Sequence, residues 1–190
     1  MKKYKVIYAD PPWHYGSKSA VNNSKGNEIK SLSEQYMTTK TKDLAMMDIK
    51  SISDDDCALF MWVTDSHLPD ALELVSAWGF KFKTIAFNWV KTTSKGNYCK
   101  NVAPWTMKSS EVCILATKGA MSKYKLANNI ESLVIAERTK HSRKPKEVMT
   151  RIESLFGDIP RLEMFARNAS EGWDVFGNEA PNSIEIKLNQ

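Results

Sequence analysis

The chain has 190 residues, of which 42% are hydrophobic and 26% are charged, so its composition is that of a globular domain and excludes wholesale disorder. No run of 18 apolar residues is present to cross a membrane, and the start Met1–Lys5 lacks the apolar core of a secretory signal. Because three cysteines and three histidines are too few and too scattered for a disulfide framework or a zinc cluster, we expect no metal site and a reducing, cytoplasmic location.

The net charge of +5 is distributed unevenly along the chain. Between Lys91 and Arg151, 13 lysines and arginines stand against four acidic residues, so this third of the chain carries +9 and the remainder carries −4. A solvated basic surface explains this excess, and so does a surface that faces phosphate groups. Charge alone favours the solvated surface.

The first half of the chain contains two predicted strands and two predicted helices. Apolar residues predict a strand over Tyr4–Ala9, which ends there because the following prolines offer no amide to a neighbouring strand. The polar stretch His14–Ser33 is typical of a loop, and Thr41–Met47 is predicted to form a short helix. The unbroken apolar run Cys57–Val63 indicates a strand that is covered on both faces. Apolar residues at helical spacing, followed by a glycine, then indicate a second helix: Leu68, Leu72, Val75, Trp78 and Gly79.

The second half is richer in predicted strands. Phe82–Val90 and Val112–Thr117 are expected to pair as an antiparallel hairpin, and Leu133–Ala136 is expected to be a short strand. Pro145 is suited to the first turn of a helix that ends at Gly157. Further strands are predicted at Arg161–Ala166, at Trp173–Phe176 and, as an edge strand, at Ile184–Leu188.

Strands that alternate with helices indicate an α/β fold, with a mostly parallel sheet and one antiparallel hairpin. No linker divides residues 1–190, so we expect a single domain. In such sheets, ligands bind beyond the carboxyl ends of the strands. Asp10–Trp13, Arg167 and the pair Asn178–Glu179 each follow a predicted strand, and these positions are therefore the candidate site.

The tetrapeptide Asp10-Pro11-Pro12-Trp13 has a specific chemical interpretation. The amine of a nucleobase is a poor nucleophile because its lone pair is delocalised into the ring. The Asp10 carboxylate and the Pro11 carbonyl can accept its two hydrogens and so localise the lone pair, while Pro12 helps to hold that carbonyl in place. Trp13 would offer a face on which an unstacked base can rest. The alternative is a proline turn with Trp13 in the core, which leaves the acid at the strand end unexplained.

Further blocks follow the tetrapeptide in a fixed order over nearly the whole chain. They are Leu59-Phe60-Met61-Trp62-Val63-Thr64, Asn88-Trp89-Val90-Lys91, Glu111-Val112-Cys113-Ile114-Leu115-Ala116-Thr117-Lys118-Gly119, His141-Ser142-Arg143-Lys144-Pro145, Leu162-Glu163-Met164-Phe165-Ala166-Arg167 and Gly177-Asn178-Glu179. With these blocks the sequence resembles the MT-A70-like adenine-N6 methyltransferases. That family includes phage and bacterial DNA enzymes and the catalytic subunit of the eukaryotic mRNA adenosine methyltransferase.

The resemblance implies a Rossmann-like methyltransferase sheet with a permuted motif order, in which the catalytic motif precedes the cofactor-binding strand. It also implies S-adenosylmethionine as the cofactor and direct in-line methyl transfer to adenine N6, without a covalent enzyme intermediate or a metal. The implied catalytic residues are Asp10, Pro11, Pro12 and Trp13. The implied cofactor-binding residues are Ser142, Lys144, Phe165, Arg167, Asn178 and Glu179. Among them, Lys144 would pair with the methionyl carboxylate.

Two positions depart from the wider pattern. Glu179 stands where relatives often carry glutamine, and a carboxylate can still accept both ribose hydroxyls. Many amino-methyltransferases have a Phe-x-Gly-x-Gly turn after the first cofactor strand, whereas this chain has Phe165-Ala166-Arg167-Asn168. MT-A70-like proteins commonly lack the second glycine, so the assignment of the cofactor strand stands while the backbone path around the donor is left open.

Loops beside the proposed pocket supply the candidates for contact with the substrate. These candidates are Tyr36, Trp105 and Lys118, and ordinary packing explains Tyr36 and Trp105 equally well. The segments available for target recognition are short, namely 15–36, 92–108 and 119–130. We therefore expect a short or relaxed sequence preference, or help from a second subunit, and a homodimer is left open.

Nucleic acid is the expected partner, and the resemblance favours DNA because the chain has no appended RNA-binding module. The same reaction on RNA adenosine stays open. A catalytically silent nucleic-acid-binding subunit is less expected because Asp10 and Trp13 are both present. A small-molecule methyltransferase would leave the basic segment unexplained.

Overall fold

A computed structural model describes residues 2–13, 39–139, 143–177 and 180–189. The described residues form one seven-stranded sheet and four α-helices. The strands are β1 (Tyr4–Ala9), β2 (Ser53–Val63), β3 (Lys81–Thr92), β4 (Ser110–Lys118), β5 (Leu133–Glu137), β6 (Arg161–Met164) and β7 (Asp174–Phe176). The helices are α1 (Thr41–Ala45), α2 (Ile49–Ile52), α3 (Leu68–Ala77) and α4 (Lys146–Phe156).

The strand order across the sheet is β5-β3-β4-β2-β1-β6-β7. Only β4 runs against its neighbours, since it pairs antiparallel with both β2 and β3 while the remaining described pairs are parallel. The predicted α/β fold, mostly parallel with one antiparallel hairpin, is therefore confirmed. Six strands end, and β4 begins, at the same end of the sheet, which we call the upper edge. The opposite end, where those six strands begin and β4 ends, is the lower edge. The predicted loop His14–Ser33 lies outside the described residues.

Both faces of the sheet carry a buried apolar layer, and β2 contributes to each. Leu59 and Met61 pack on one side against Trp78, beneath α3. Phe60 and Trp62 point to the other side, where α4 covers them. This double burial explains the unbroken apolar run in the sequence. Full burial of each large side chain stabilises the fold by roughly 1.5–3 kcal/mol.

Helix α4 connects β5 to β6 and carries the chain down from the upper edge. It begins directly after Pro145 and ends before Gly157, as the sequence predicts. Because β6 pairs parallel with β1, the ends of β6 and β1 lie side by side at the upper edge. The start of α4, the end of β1 and the end of β6 therefore meet in one place, which is where the candidate site is expected.

The turn after β6 has an unusual backbone. Phe165 adopts a left-handed conformation with φ of 62°, which costs a non-glycine residue about 1–2 kcal/mol. Gly177 lies against this turn, because a Cβ placed on it would be 2.1 Å from the Ala166 carbonyl oxygen. The Ala166 amide also donates to the Phe176 carbonyl at 3.1 Å. The end of β7 therefore holds the turn after β6 by close backbone contact.

The predicted edge strand Ile184–Leu188 is wrong. This segment forms no ladder with the sheet, and only an isolated bridge joins Leu188 to Met47. Its alternating pattern arises because Ile184 and Ile186 pack on the apolar layer that contains α3. In this segment, therefore, the alternation of apolar residues reflects packing of an irregular stretch of chain on the core.

Within the described ranges, no helix has the length and hydropathy needed to cross a membrane.

Replacing Gly177 with alanine should lower the free energy of unfolding by about 2–3 kcal/mol, because the new methyl group would overlap the Ala166 backbone. Urea denaturation measures this loss. Gly96→Ala is the control, since Gly96 has a φ of 77° but open space around it and should lose about 1 kcal/mol. Equal losses in the two variants would contradict the steric explanation.

Candidate active site at the upper edge of the sheet

The tetrapeptide Asp10–Trp13 forms a tight turn directly after β1. The Trp13 amide donates to the Pro11 carbonyl at 2.9 Å, and the Thr39 amide donates to the Pro12 carbonyl at 2.9 Å. Trp13 also donates its indole N–H to the Trp62 carbonyl at 3.1 Å. The turn is therefore fixed at both carbonyls and at its last side chain, so that Asp10 is held at the upper edge.

The Trp13 ring lies in the core and is only 5% exposed. It stacks against the His67 ring, with centroids 5.6 Å apart and planes 19° apart. In this arrangement Trp13 anchors the turn, in the way that the packing alternative describes. Stacking of a base on Trp13 stays a prediction.

An alternating row of four charged side chains crosses the upper edge, and we call it the ion chain. Lys144 Nζ lies 3.0 Å from Asp10 Oδ1 and 3.1 Å from Glu111 Oε2. The other Glu111 oxygen forms an ion pair with Lys91. Glu111 and Lys144 are each 11% exposed at the side chain, whereas Asp10 is 36% exposed. The ion chain is thus buried at its centre and open at Asp10.

Burial and the neighbouring charges shift the pKa values along the ion chain. Burial raises the pKa of the Asp10 carboxyl, and Lys144 opposes the rise without cancelling it. Burial alone would raise the pKa of Glu111, but Lys144 and Lys91 outweigh it and hold that pKa below its ordinary value. Burial likewise disfavours the charge on Lys144, yet Asp10 and Glu111 together raise its pKa. Lys144 and Glu111 are therefore firmly ionised, and Asp10 is the group that protonates most readily.

Lys91 and Glu111 were not among the predicted site residues. Lys91 follows the apolar run of β3, and Glu111 precedes the apolar run of β4. The signal was a pair of opposite charges at the facing ends of a predicted hairpin, where Trp89 pairs with Glu111. Such a pair suggests a contact, but only the register of the strands brings the two together.

A cavity of about 720 Å³ opens beside the ion chain, between α4 and the turn after β6. Its lining includes both signs of charge as well as aromatic rings. The lining residues are Tyr8, Asp10, Arg143, Lys144, Lys146, Met149, Thr150, Glu153, Arg161, Glu163, Phe165, Arg167, Asn168, Ala169, Ser170, Glu171, Gly172 and Trp173. Burial raises the pKa of Glu163, which accepts a hydrogen bond from Ser170 at 3.2 Å. The volume is in the range of small-molecule cofactor sites.

The structure brings several of the predicted site residues together. Asp10, Lys144, Phe165 and Arg167 share the wall of the cavity. Trp105 lies elsewhere on the upper edge, in the connection between β3 and β4, and is 95% exposed. The predicted residues Tyr36, Ser142, Asn178 and Glu179 lie outside the described residues.

Lys118 does not join this group. It stands at the far end of β4, opposite Cys57, and so lies at the lower edge of the sheet. There its ammonium group donates to the Ser53 hydroxyl at 2.9 Å. The antiparallel direction of β4 is the reason, because it places Glu111 and Lys118 at opposite edges. The structure thus separates Lys118 from the candidate active site.

The sheet order, with a charged site at the carboxyl ends of its central strands, places the chain in the Rossmann-like class of α/β folds. The model of the MT-A70 family matches residues 4–179, and the chain belongs to this family. It is 39% identical to the Type II methyltransferase M.MunI of Mycoplasma sp, over 97% of this chain and 82% of that protein.

More distant relatives are eukaryotic and much longer. The chain is 27% identical to the N(6)-adenosine-methyltransferase MT-A70-like of Arabidopsis thaliana, over 92% of this chain and 23% of that protein. It is 25% identical to the N(6)-adenosine-methyltransferase catalytic subunit METTL3 of Homo sapiens, over 93% and 28% respectively. The chain therefore spans only about a quarter of these eukaryotic relatives.

Replacing Glu111 with glutamine should lower the free energy of unfolding by about 3 kcal/mol, because two buried lysines would lose the anion between them. The pKa of Glu111 lies below its ordinary value of 4.5, so its stabilisation is complete above that pH and is lost as the pH falls through the native pKa. Denaturation at pH 7 and pH 4 should therefore show a smaller difference between variant and wild type at the lower pH.

The matched control is Asp65→Asn, which removes an exposed ion pair with Lys108 and should cost less than about 1 kcal/mol. If Glu111→Gln lowers the free energy of unfolding by no more than this control, or by more at pH 4 than at pH 7, the assigned role of the ion chain is contradicted.

Proposed function

We propose that this protein transfers a methyl group from S-adenosylmethionine to the N6 amine of adenine in DNA. The observation that carries the proposal is the position of Asp10. Its carboxylate stands at the tip of β1, on the wall of the cavity, and is held by Lys144 at 3.0 Å. An amine acceptor and a cofactor-sized cavity therefore share one boundary.

The turn after β1 offers two acceptors to an amine. Asp10 Oδ1 contacts Lys144, which leaves the other carboxylate oxygen for one amine hydrogen. The Pro11 carbonyl accepts one hydrogen bond from the Trp13 amide and has a second lone pair for the other hydrogen. Acceptance of both hydrogens localises the lone pair of the amine, and the rigid turn holds the two acceptors in position beforehand.

The cavity suits a cofactor that carries charges of both signs. Arg143, Lys144 and Arg167 can face a carboxylate, while Glu163 can accept from hydroxyl or ammonium groups. Phe165 adds an aromatic surface. S-adenosylmethionine has these complementary groups, and when bound it supplies an electrophilic methyl group on its sulfonium. Ser142, Asn178 and Glu179 are part of this proposal by resemblance.

Lys144 links the two halves of the proposed site. Its ammonium group has three hydrogens, of which Asp10 and Glu111 use two. The third can face a carboxylate of the cofactor without breaking either ion pair. Lys144 would then hold Asp10 ionised and set its position relative to the cofactor. Asp10 acts here as an acceptor and orienting group, and its role does not require a strong base.

DNA is the proposed polymer because the likeness to the Type II methyltransferase M.MunI is higher and covers most of both chains. The likeness to eukaryotic N(6)-adenosine-methyltransferases supports RNA adenosine as the second candidate. A silent binding subunit is disfavoured, since the Asp10 carboxylate and its ion pair with Lys144 are both in place.

Replacing Asp10 with asparagine should reduce methyl transfer at least about 100-fold, because the single amide oxygen would face Lys144 and the NH2 group would then stand where the amine needs an acceptor. The assay measures transfer of labelled methyl groups to single- and double-stranded DNA and RNA oligomers, followed by mass spectrometry of the nucleosides. Titration calorimetry with S-adenosylmethionine should show cofactor affinity within a few fold of wild type.

Asp65→Asn is the control for a lost carboxylate at the upper edge, and its activity on single-stranded oligomers should match that of wild type. Turnover of Asp10→Asn above a few per cent would reject the role of Asp10. Methylation of RNA alone would replace DNA by the second candidate. Absence of methylated adenine from every polymer, despite cofactor binding, would reject the proposed function itself.

The pH dependence of the reaction should reflect the protonation of Asp10. Its pKa lies above the ordinary value of 3.8, so the acceptor is lost on protonation and kcat/KM should fall on the acid side at a higher pH than for an ordinary aspartate. Glu111 contributes to this rise. Glu111→Gln should therefore move the acid limb of the profile to lower pH, and movement to higher pH would contradict the assignment.

A further inference from the structure

The connection between β3 and β4, residues 93–109, rises from the upper edge as a hairpin. The Asn101 amide donates to the Lys108 carbonyl at 2.9 Å, and the Lys108 amide donates back to the Asn101 carbonyl at 2.8 Å. This pair closes a short tip, residues 102–107, that contains Trp105. The tip is thus a defined structural feature of the upper edge.

The base of the hairpin is attached to the body of the protein from several sides. The Cys99 amide donates to the Lys91 carbonyl at 2.8 Å, which joins the hairpin to a residue of the ion chain. Arg138 donates to the Asn101 side-chain oxygen at 2.7 Å. Lys108 forms an ion pair with Asp65 at 2.7 Å. These contacts come from β3, from the segment after β5 and from the turn after β2, so the tip stands on a fixed base.

The tip exposes apolar side chains that a folded protein normally buries. Trp105 is 95% exposed, and Val102 and Met107 are exposed beside it. Tryptophan is highly buried on average, and a cluster of exposed apolar groups marks a contact surface. The hairpin also carries Lys95, Lys100 and Lys108 but no acidic residue. Duplex DNA is a polyanion with stacked bases inside it. It would offer its phosphates to the lysines of the hairpin and its apolar interior to the tip.

The hairpin lies at a suitable distance from the proposed amine site. Three strand spacings separate β3 from β1, and at about 4.8 Å each they place the base of the hairpin about 14 Å from Asp10 along the upper edge. A paired adenine must leave its stack to reach such a site, and apolar wedges between base steps are a known way to unstack DNA. One duplex could therefore meet the tip while its extruded adenine meets Asp10.

We propose that the tip residues, with Trp105 foremost, enter duplex DNA beside the target adenine and hold open the space that the extruded base leaves. Lys95 and Lys100 contact the flanking phosphates. This role rests on the proposed function, since it concerns how a paired adenine reaches Asp10. It predicts that Trp105 matters for paired adenines and is dispensable for unpaired ones.

The test compares wild type with Trp105→Ala on three DNA substrates that share one sequence on which the wild type is active. The target adenine is paired in the first duplex, faces an abasic site in the second, and lies in a single strand in the third. Trp105→Ala should lose about tenfold or more in kcat/KM on the paired duplex. The loss should be within about twofold on the other two substrates, since their adenines are already free to leave the stack.

Two variants accompany this comparison. Leu126→Ala removes another exposed apolar side chain, which follows β4 at the lower edge, and should act like wild type on all substrates. Trp105→Phe keeps an aromatic wedge and should recover most of the lost rate on the paired duplex. Fluorescence of 2-aminopurine at the target position, which reports unstacking directly, should rise with wild type and Trp105→Phe but not with Trp105→Ala.

Several results would overturn the wedge. One is a wild-type rate of Trp105→Ala on the paired duplex, and another is an equal loss on all three substrates. A third is methylation of single strands or RNA alone by the wild type. This result would overturn the role of Trp105 but leave the methyl-transfer activity in place. A shift of Trp105→Ala to a smaller species in sedimentation would instead assign the tip to contact with a second copy of the chain. Failure of the wild type on every substrate would overturn the proposed function and, with it, the role of Trp105.

Discussion

The double ion pair of Lys144 is the interaction on which the rest of the site depends. Lys144 lies just before α4, and its two carboxylate partners come from the end of β1 and the start of β4. Taking these charges out of water is costly, so each is tolerated only while its partners are in place. With Lys91 of β3 included, the ion chain therefore ties the positions of four separate elements together, and it sets the position and charge of Asp10 at its open end.

The antiparallel direction of β4 makes this arrangement possible. Glu111 stands at the start of its strand and Asp10 follows the end of its own, so the two meet at one edge only because β4 runs against β2. A parallel β4 would carry Glu111 to the lower edge and leave Lys144 with one carboxylate. The same reversal creates the hairpin of residues 93–109 at the upper edge, since β3 ends where β4 begins.

Local sequence signals were sufficient for most of the strands and for the two longer helices, but not for the short helix Ile49–Ile52 or for the contacts between elements. β1 spans Tyr4–Ala9 as predicted, because prolines stop it, and α4 runs between a proline and a glycine. The ion chain could not be predicted, since it depends on strand register and on where the chain enters α4. The edge strand predicted at Ile184–Leu188 failed for a related reason, as alternation alone does not distinguish a ladder from irregular packing on a core.

The +9 of residues 91–151 is not a single basic surface, because the fold divides it among different uses. Lys91 and Lys144 are neutralised inside the ion chain, and Arg151 pairs with Glu147 on α4. Lys118 and Lys123 lie at the lower edge, where Lys123 pairs with Asp56. The fold therefore places basic residues that lie in one segment of the sequence at different parts of the protein. Lys108 of the hairpin pairs with Asp65, whereas Lys95 and Lys100 are exposed at the upper edge, so a polyanion would meet these two lysines beside the apolar tip.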